Sequence, residues 1–147
     1  MNIFLHYCMI DVDFKRKGQK IMEHLIIERT VTEDMLAVNV GSGCLRVLAT
    51  PTVIALMEEA STKIADTLLS EEITTVGTLV NIEHISPSPI GAKIRVESTL
   101  VETDGRIFKF DVKAYDDVCL IAQGVHNRVS VKKEKFQSKA DEKLGKV

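Results

Sequence analysis

A regular apolar spacing marks the stretch of chain that begins at Thr50. Apolar side chains recur there every three or four residues, the period of one helix face, at Val53, Leu56, Met57, Ala60, Ile64 and Leu68. Thr50 is expected to be the N-cap, because its hydroxyl can accept a hydrogen bond from the first helical turn. Pro51 then stands at the first helical position, where its missing N–H is not needed. The spacing predicts a buried helix that runs to about Leu69.

The rest of the chain alternates with the period of two that is typical of strands. The pattern predicts strands over residues 23–31 and 35–40 before the helix, and over 76–84, 92–102, 106–115 and 118–131 after it. Two prolines, Pro87 and Pro89, end the first of the later strands, and Asp104-Gly105 is a hairpin signal. One long helix and a meander of antiparallel strands predict an α+β domain, with the helix across one face of a single sheet.

The predicted sheet has unpaired edges that favour association of two copies of the chain. One helix cannot cover a sheet of such long strands, so apolar surface and unpaired strand edges are left over. An unpaired edge offers N–H and C=O groups to another strand. We therefore expect a homodimer formed by edge pairing into one continuous sheet, with a dimer of dimers as an open alternative.

Two polar residues stand where the pattern favours apolar ones. Glu58 lies at the margin of the apolar helix stripe, with Thr62 where a basic partner would be. A carboxylate is costly to remove from water unless something pairs with it or uses it, although it can also reach solvent. His84 shares a strand face with Thr78 and with apolar residues that must point at the helix, where a lone histidine is more often a core residue. Together with the Thr50 hydroxyl, these groups could transfer protons and attack a carbonyl, but spacing alone leaves open whether they meet.

Length and composition limit the possible classes of protein. The 147 residues suit about one domain, and a net charge of −2 gives no electrostatic footprint for nucleic acid or an anionic membrane. Three widely separated cysteines indicate neither a disulfide framework nor a metal site, and we expect reduced thiols in a cytoplasmic protein. The domain is expected to span residues 22–136. Residues 1–21 form an N-terminal extension whose structure the pattern leaves open, and residues 137–147 form a polar tail.

Several runs of sequence carry a resemblance to a known family. They are GSGCLRVLATPTVIALMEEAS, TTVGTLVNIEHISPSPIGAKIRV, ETDGRIFKFDVKAYDD and AQGVHNRVSV. In this order, and over residues 22–136, the chain resembles the hotdog-fold thioesterases of the fluoroacetyl-CoA thioesterase type. The resemblance implies a hotdog fold, in which a five- or six-stranded antiparallel sheet wraps one long central helix. It also implies pairing into a homodimer.

The resemblance also assigns roles to individual residues. The family's catalytic threonine, glutamate and histidine correspond to Thr50, Glu58 and His84. The glycine whose backbone lies near the thioester corresponds to Gly77, and the arginine of the last strand corresponds to Arg128. Arg128 is expected to balance the charge of Glu58 or to touch the CoA phosphates, and a surface arginine paired with a neighbouring acid is an equal alternative. The resemblance implies no metal and no cofactor, since coenzyme A is part of the substrate.

One departure from the family limits the choice of substrate. The enzyme that gives the family its name is similar in carrying two phenylalanines shortly before the catalytic threonine, which form a lid over the fluorinated acyl group. The matching positions here are Gly41 and Cys44. Because the lid is missing, selectivity for fluoroacetate is not expected, and a different short or medium acyl chain is predicted.

The predicted function is hydrolysis of an acyl-CoA thioester to a free acid and CoA. Glu58 and His84 are expected to activate water or the Thr50 hydroxyl for attack on the thioester carbonyl. Whether Thr50 is the nucleophile or positions water is left open. One alternative is a non-catalytic acyl-CoA-binding protein of the same fold, acting as a sensor or carrier. A hotdog dehydratase or hydratase is a further alternative.

Overall fold

The computed structural model describes residues 23–145, so the predicted N-terminal extension, residues 1–21, lies outside the described residues. Five strands form one antiparallel sheet: β1 His24–Thr30, β2 Ile73–His84, β3 Lys93–Thr103, β4 Ile107–Tyr115 and β5 Leu120–Lys132. Three α-helices accompany them: α1 Ala37–Val40, α2 Thr50–Asp66 and α3 Lys133–Glu142. The strand order across the sheet is β1-β3-β4-β5-β2, which leaves β1 and β2 at its two edges.

Helix α2 lies against one face of the sheet and supplies much of the core. Its buried apolar side chains are Val53, Leu56, Met57, Ala60, Ile64 and Ala65. The predicted helix face is confirmed except at Leu68, which follows the end of the helix and is partly buried. The helix ends at Asp66, slightly before the predicted Leu69. The predicted N-cap was wrong by one residue: Ala49 caps the helix, and Thr50 is already helical. The hydroxyl of Thr50 is engaged elsewhere, in a hydrogen bond to His84.

The sheet provides the other half of the core, with strict alternation on β4. The buried side chains of that strand are Phe108, Phe110, Val112 and Ala114, as the sequence pattern predicted. The neighbouring strands β3 and β5 add Ile94, Val96, Ile121 and Ala122 to the same core. Because one face of the sheet is apolar and covered by α2, the other face can remain polar.

Strand β2 contains a β-bulge that changes which of its side chains face α2. Its pairing with β5 shifts register between Gly77 and Leu79, so that Thr78 is an extra residue. An extra residue reverses the alternation beyond it. Before the bulge Thr75 and Gly77 face the helix, and after it Ile82 and His84 do. The prediction that Thr78 shares the helix-facing side with His84 was therefore wrong, because a constant period of two was assumed.

Two further segments differ from the sequence-based expectation. Residues 35–40 were predicted as a strand but form a 3-10 turn, Glu33–Met35, followed by α1. A run of alternating apolar residues this short does not distinguish a strand from one turn of helix. Helix α3, Lys133–Glu142, follows β5 directly and crosses the predicted boundary between the domain and the polar tail, which was placed between residues 136 and 137. No helix in the described range is both long and apolar enough to cross a membrane.

The outer edge of β2 has no partner strand within residues 23–145. Near its middle this strand carries two apolar side chains in contact with solvent, Leu79 at 45% and Val80 at 37% exposure. A twelve-residue edge strand with exposed apolar side chains is a template for pairing with another chain.

Candidate active site

The first group of candidate residues lies where α2 begins. Thr50 Oγ1 and His84 Nδ1 share a hydrogen bond of 2.8 Å, which joins the first residue of α2 to the last residue of β2. The other ring nitrogen, His84 Nε2, is buried and has no hydrogen-bond partner among the described residues. Two of the three predicted catalytic side chains are therefore in direct contact.

Burial favours the neutral form of the His84 imidazole. Burial lowers its pKa below the ordinary value of 6.5, and the nearby backbone of Ser86 opposes this shift in part. A neutral imidazole has a free lone pair and can accept a proton from a hydroxyl or from water near neutral pH. The contact with Thr50 thus has the geometry of a base beside a potential nucleophile.

A cavity of about 330 Å³ opens beside this pair. Thr50 and His84 both line it, together with Ala37, Ser42, Val47, Leu48, Ala49, Ile85, Ser86 and Pro87. None of these lining residues is aromatic, apart from the imidazole itself. At the two positions predicted to lack the family's lid, Gly41 ends α1 in a left-handed conformation and Cys44 is exposed. A small acyl group entering the cavity would meet the Thr50 hydroxyl.

Glu58 belongs to a second group, further along the same helix. Eight residues separate it from Thr50, which corresponds to about 12 Å of helix axis. Its Oε1 lies 3.6 Å from Arg128 Nη1 and 3.8 Å from His126 Nε2, and its side chain is 39% exposed. Arg128, the predicted partner from the last strand, thus faces Glu58. Within one chain, the described contacts do not join this carboxylate to the Thr50–His84 pair.

Gly77 leaves the space that Glu58 occupies. A Cβ atom built at Gly77 would overlap Glu58 Oε1 and would lie 3.2 Å from His126 Cε1. Any other residue at this position would therefore have to displace the carboxylate. The backbone of β2 and the carboxylate on α2 are in close contact only because no side chain stands between them.

The guanidinium of Arg128 is buried and hydrogen-bonded on every side. The residue is 7% exposed, and its Nε and Nη2 donate to Oγ1 and to the carbonyl of Thr75, each at 2.8 Å. Its Nη1 donates to His126 Nε2 at 3.1 Å. Burial lowers the pKa of Arg128, while Glu58 and Asp66 oppose that change, and arginine stays charged in proteins.

His126 was not among the predicted site residues. Its side chain is 1% exposed, and its ring stacks on Phe110 with centroids 6.3 Å apart. Burial is also the largest cause that lowers its pKa. The signal that could have identified it is the His-Asn-Arg run, because residues two apart on a strand share a face. Because Arg128 faces Glu58, His126 must face it as well.

The described residues contain no group of three His, Cys, Asp or Glu side chains that could hold a metal ion. The expectations that no metal and no cofactor take part stay predictions. So do the individual roles of Thr50, Glu58, His84, Gly77 and Arg128, since the geometry gives their positions and not their chemistry.

Comparison with known proteins identifies similar thioesterases. A family described as fluoroacetyl-CoA-specific thioesterase matches residues 31–134. The chain is 31% identical over 97 residues to the fluoroacetyl-CoA thioesterase of Streptantibioticus cattleyicolor, covering 66% of this chain and 70% of that protein. A solved fluoroacetyl-CoA thioesterase structure gives a TM-score of 0.80 at 25% identity, over 86% of this chain and 98% of that one. A thioesterase superfamily member from Thermus thermophilus gives 0.75 at 26%, over 84% and 93% of the two chains.

The sheet wrapped around one long helix defines a hotdog fold. A hot-dog-like protein from Thermanaerovibrio acidaminovorans has the same fold at 20% identity, with a TM-score of 0.74 over 83% of this chain and 90% of that one. The chain belongs to the fluoroacetyl-CoA-specific thioesterase family. It is therefore a thioester hydrolase, and the predicted family, fold class and type of enzyme are confirmed.

We expect Gly77→Ala to lower kcat/KM for thioester hydrolysis by about 100-fold, because the new methyl group displaces the Glu58 carboxylate. In the Glu58→Ala background the same change is expected to have little further effect, since the group it displaces is already absent. Steady-state kinetics of the two single variants and the double variant measure this. Independent, multiplicative effects of the two substitutions would contradict the steric explanation.

We also expect the free energy of unfolding to fall on mild acidification. The pKa values of His84 and His126 are both lowered in the folded chain, so the unfolded chain binds more protons below pH 6.5. The two neutral imidazoles contribute to the free energy of unfolding above pH 6.5. This contribution is lost as the pH falls through their lowered pKa values. Urea unfolding at a series of pH values measures this, and a His84→Gln, His126→Gln double variant should show a flatter profile. Greater stability at lower pH would contradict it.

Proposed function

We propose that the chain hydrolyses a short- or medium-chain acyl-CoA thioester to a free acid and CoA, with Thr50, Glu58 and His84 as its catalytic residues. The observation that carries the proposal is the 2.8 Å hydrogen bond between Thr50 Oγ1 and His84 Nδ1 beside an accessible cavity. Membership of a thioesterase family supports the type of reaction. The hydrogen bond between the hydroxyl and the imidazole supports a position of the reacting carbonyl beside this pair.

The proposed chemistry begins with proton transfer to His84. As the imidazole takes a proton from the Thr50 hydroxyl, or from a water that Thr50 holds, the oxygen attacks the thioester carbonyl carbon. The resulting oxyanion lies near the N-terminus of α2, where the helix dipole favours negative charge. The C–S bond then breaks, and the departing CoA thiolate receives the proton from His84. If Thr50 attacks first, a water molecule releases the acid from its ester in a second step.

The substrate is proposed to carry an acyl group other than fluoroacetyl. The cavity lining offers small and aliphatic side chains beside two serines and contains no phenylalanine. Gly41 and Cys44 cannot form an aromatic lid. The position of Arg128 supports a charge-balancing role toward Glu58 and not contact with CoA phosphates, because its guanidinium is buried and hydrogen-bonded to Thr75 and His126.

A homodimer is proposed to unite the two groups of site residues. The unpaired edge of β2, with Leu79 and Val80 exposed, supports strand pairing between two copies. Gly77 and His84 lie on either side of Val80, three and four residues away. Antiparallel pairing about this part of β2 would bring Gly77 of one subunit, with its Glu58, toward His84 of the other. In this arrangement Glu58 orients the attacking water at a site whose hydroxyl and imidazole come from the second subunit.

Two further proposals concern cofactors and location. The reaction is proposed to need no metal or organic cofactor, since hydroxyl, imidazole and carboxylate supply the proton transfers. A cytoplasmic location is proposed, which the free thiols of Cys44 and Cys119 support. A dimer of dimers stays an alternative to the dimer, and the following experiments test the activity and the assembly.

We expect release of free CoA thiol from a panel of acyl-CoA esters, and a loss of about 100- to 10,000-fold in kcat for Thr50→Ala, Glu58→Ala and His84→Ala. The matched control is Glu59→Ala, which removes the neighbouring carboxylate of α2. Glu59 is paired with Arg29 and Lys63 on the exposed side of the helix, so its loss should leave kcat unchanged. Binding of acyl-CoA without thiol release by the unmodified protein would favour the sensor or carrier.

Mixing two inactive variants tests whether the site is shared between subunits. We expect a Thr50→Ala chain and a Glu58→Ala chain, unfolded together and refolded in equal amounts, to regain about a quarter of the unmodified activity. Half of the random dimers are mixed, and each mixed dimer has one intact site. Sites contained within single chains would give no recovery. Analytical ultracentrifugation of the same samples reports the size of the assembly.

A further inference from the structure

The hydrogen bonds of His126 determine where its proton lies. Its Nδ1 is 2.8 Å from the carbonyl oxygen of Leu79, which can only accept a hydrogen bond, so Nδ1 carries a proton. Its Nε2 is 3.1 Å from Arg128 Nη1, which can only donate, so Nε2 carries a lone pair. The ring is therefore neutral, in the tautomer with the proton on Nδ1. The lowered pKa of His126 is consistent with this assignment.

This tautomer makes Arg128 the cation that faces Glu58. Although His126 Nε2 is only 3.8 Å from Glu58 Oε1, a nitrogen with a lone pair repels the carboxylate and does not bind it. Arg128 Nη1 is close to both acceptors, 3.1 Å from the imidazole Nε2 and 3.6 Å from the carboxylate Oε1. The imidazole thus fixes one side of the guanidinium, while Thr75 fixes the other two nitrogens.

The same ring also holds the β-bulge of β2. Leu79, whose carbonyl accepts from Nδ1, is the residue at which pairing with β5 resumes after the bulge. Gly77, on the other side of the bulge, leaves the space for Glu58. Phe110 stacks against the imidazole and restricts its rotation. One buried side chain therefore contacts both the backbone turn that contains Gly77 and the cation opposite Glu58.

We propose that His126 is a positioning residue for thioester hydrolysis, which sets the Glu58 carboxylate by orienting the Arg128 guanidinium. The inference rests on the proposed function of Glu58, and it adds the residue that determines where this carboxylate points. His126 is not proposed to touch the substrate. Its two ring nitrogens have separate tasks, one toward the bulge and one toward Arg128, and these tasks can be separated by substitution.

The positioning role of His126 is tested by comparing His126→Gln with His126→Asn. A glutamine amide reaches the position of Nε2, where its oxygen can accept from Arg128; an asparagine amide reaches only the position of Nδ1, where its nitrogen can donate to Leu79. We expect His126→Asn to lower kcat by about 100-fold with little change in KM, and His126→Gln to keep kcat within about 10-fold of the unmodified enzyme. In an Arg128→Met background, the difference between the two variants should disappear.

A spectroscopic measurement on the unmodified protein needs no activity and no variant. The ¹⁵N chemical shifts of the His126 ring are expected to show a protonated Nδ1 and an unprotonated Nε2 at neutral pH. The opposite tautomer, or a doubly protonated ring, would overturn the inference.

The outcomes also separate this inference from the proposed function. Full activity of Glu58→Ala would overturn the proposed function. Loss of activity in Glu58→Ala, together with equal kcat values for His126→Asn and His126→Gln, would overturn only the role of His126. If His126→Asn does not fold, a low kcat of His126→Gln, which keeps the acceptor for Arg128, would also overturn it.

Discussion

One extra residue in strand β2 decides which side chains reach the central helix. Gly77 and His84 are seven positions apart, so in a regular strand they would lie on opposite faces of the sheet. The bulge between Gly77 and Leu79 reverses the alternation, and both residues face α2 as a result. The Glu58 carboxylate packs against Gly77, where no side chain is present, and Thr50 forms a hydrogen bond with His84. Both groups of candidate residues therefore depend on a single irregularity of one edge strand.

The bulge in turn is linked to a buried charge. Burying a guanidinium is costly unless its donors are satisfied and an opposite charge is near. Arg128 meets these conditions through Thr75, His126 and Glu58, which come from β2, β5 and α2. Replacing one of these partners leaves an unsatisfied donor or an unpaired charge in the interior. The arrangement is thus resistant to small displacements, which the catalytic role proposed for the Glu58 carboxylate would require.

Much of this fold could be predicted from the sequence, because α2 and β4 repeat their patterns over many residues. Glu58 could be singled out because it breaks such a repeat. The bulge could not be predicted, since an inserted residue looks like any other in a period-two pattern. The exact N-cap was also missed, because a threonine before a proline can serve either as the cap or as the first helical residue. The role proposed for His126 also depends on the carbonyl of Leu79, 47 residues away, and such a contact between distant segments leaves no local signal.

The geometry of α2 explains why the site residues of one chain form two groups. The rise of a helix fixes the axial separation of Thr50 and Glu58 at about 12 Å, whatever their side chains do. Reacting atoms must approach to about 3 Å, so a carboxylate this far along the helix is out of direct reach of the Thr50 hydroxyl of the same chain. A helix that carries both groups can use them together only if its neighbour is antiparallel. The unpaired edge of β2 would impose that relation on two copies of the chain, since strands that pair about a two-fold axis run in opposite directions.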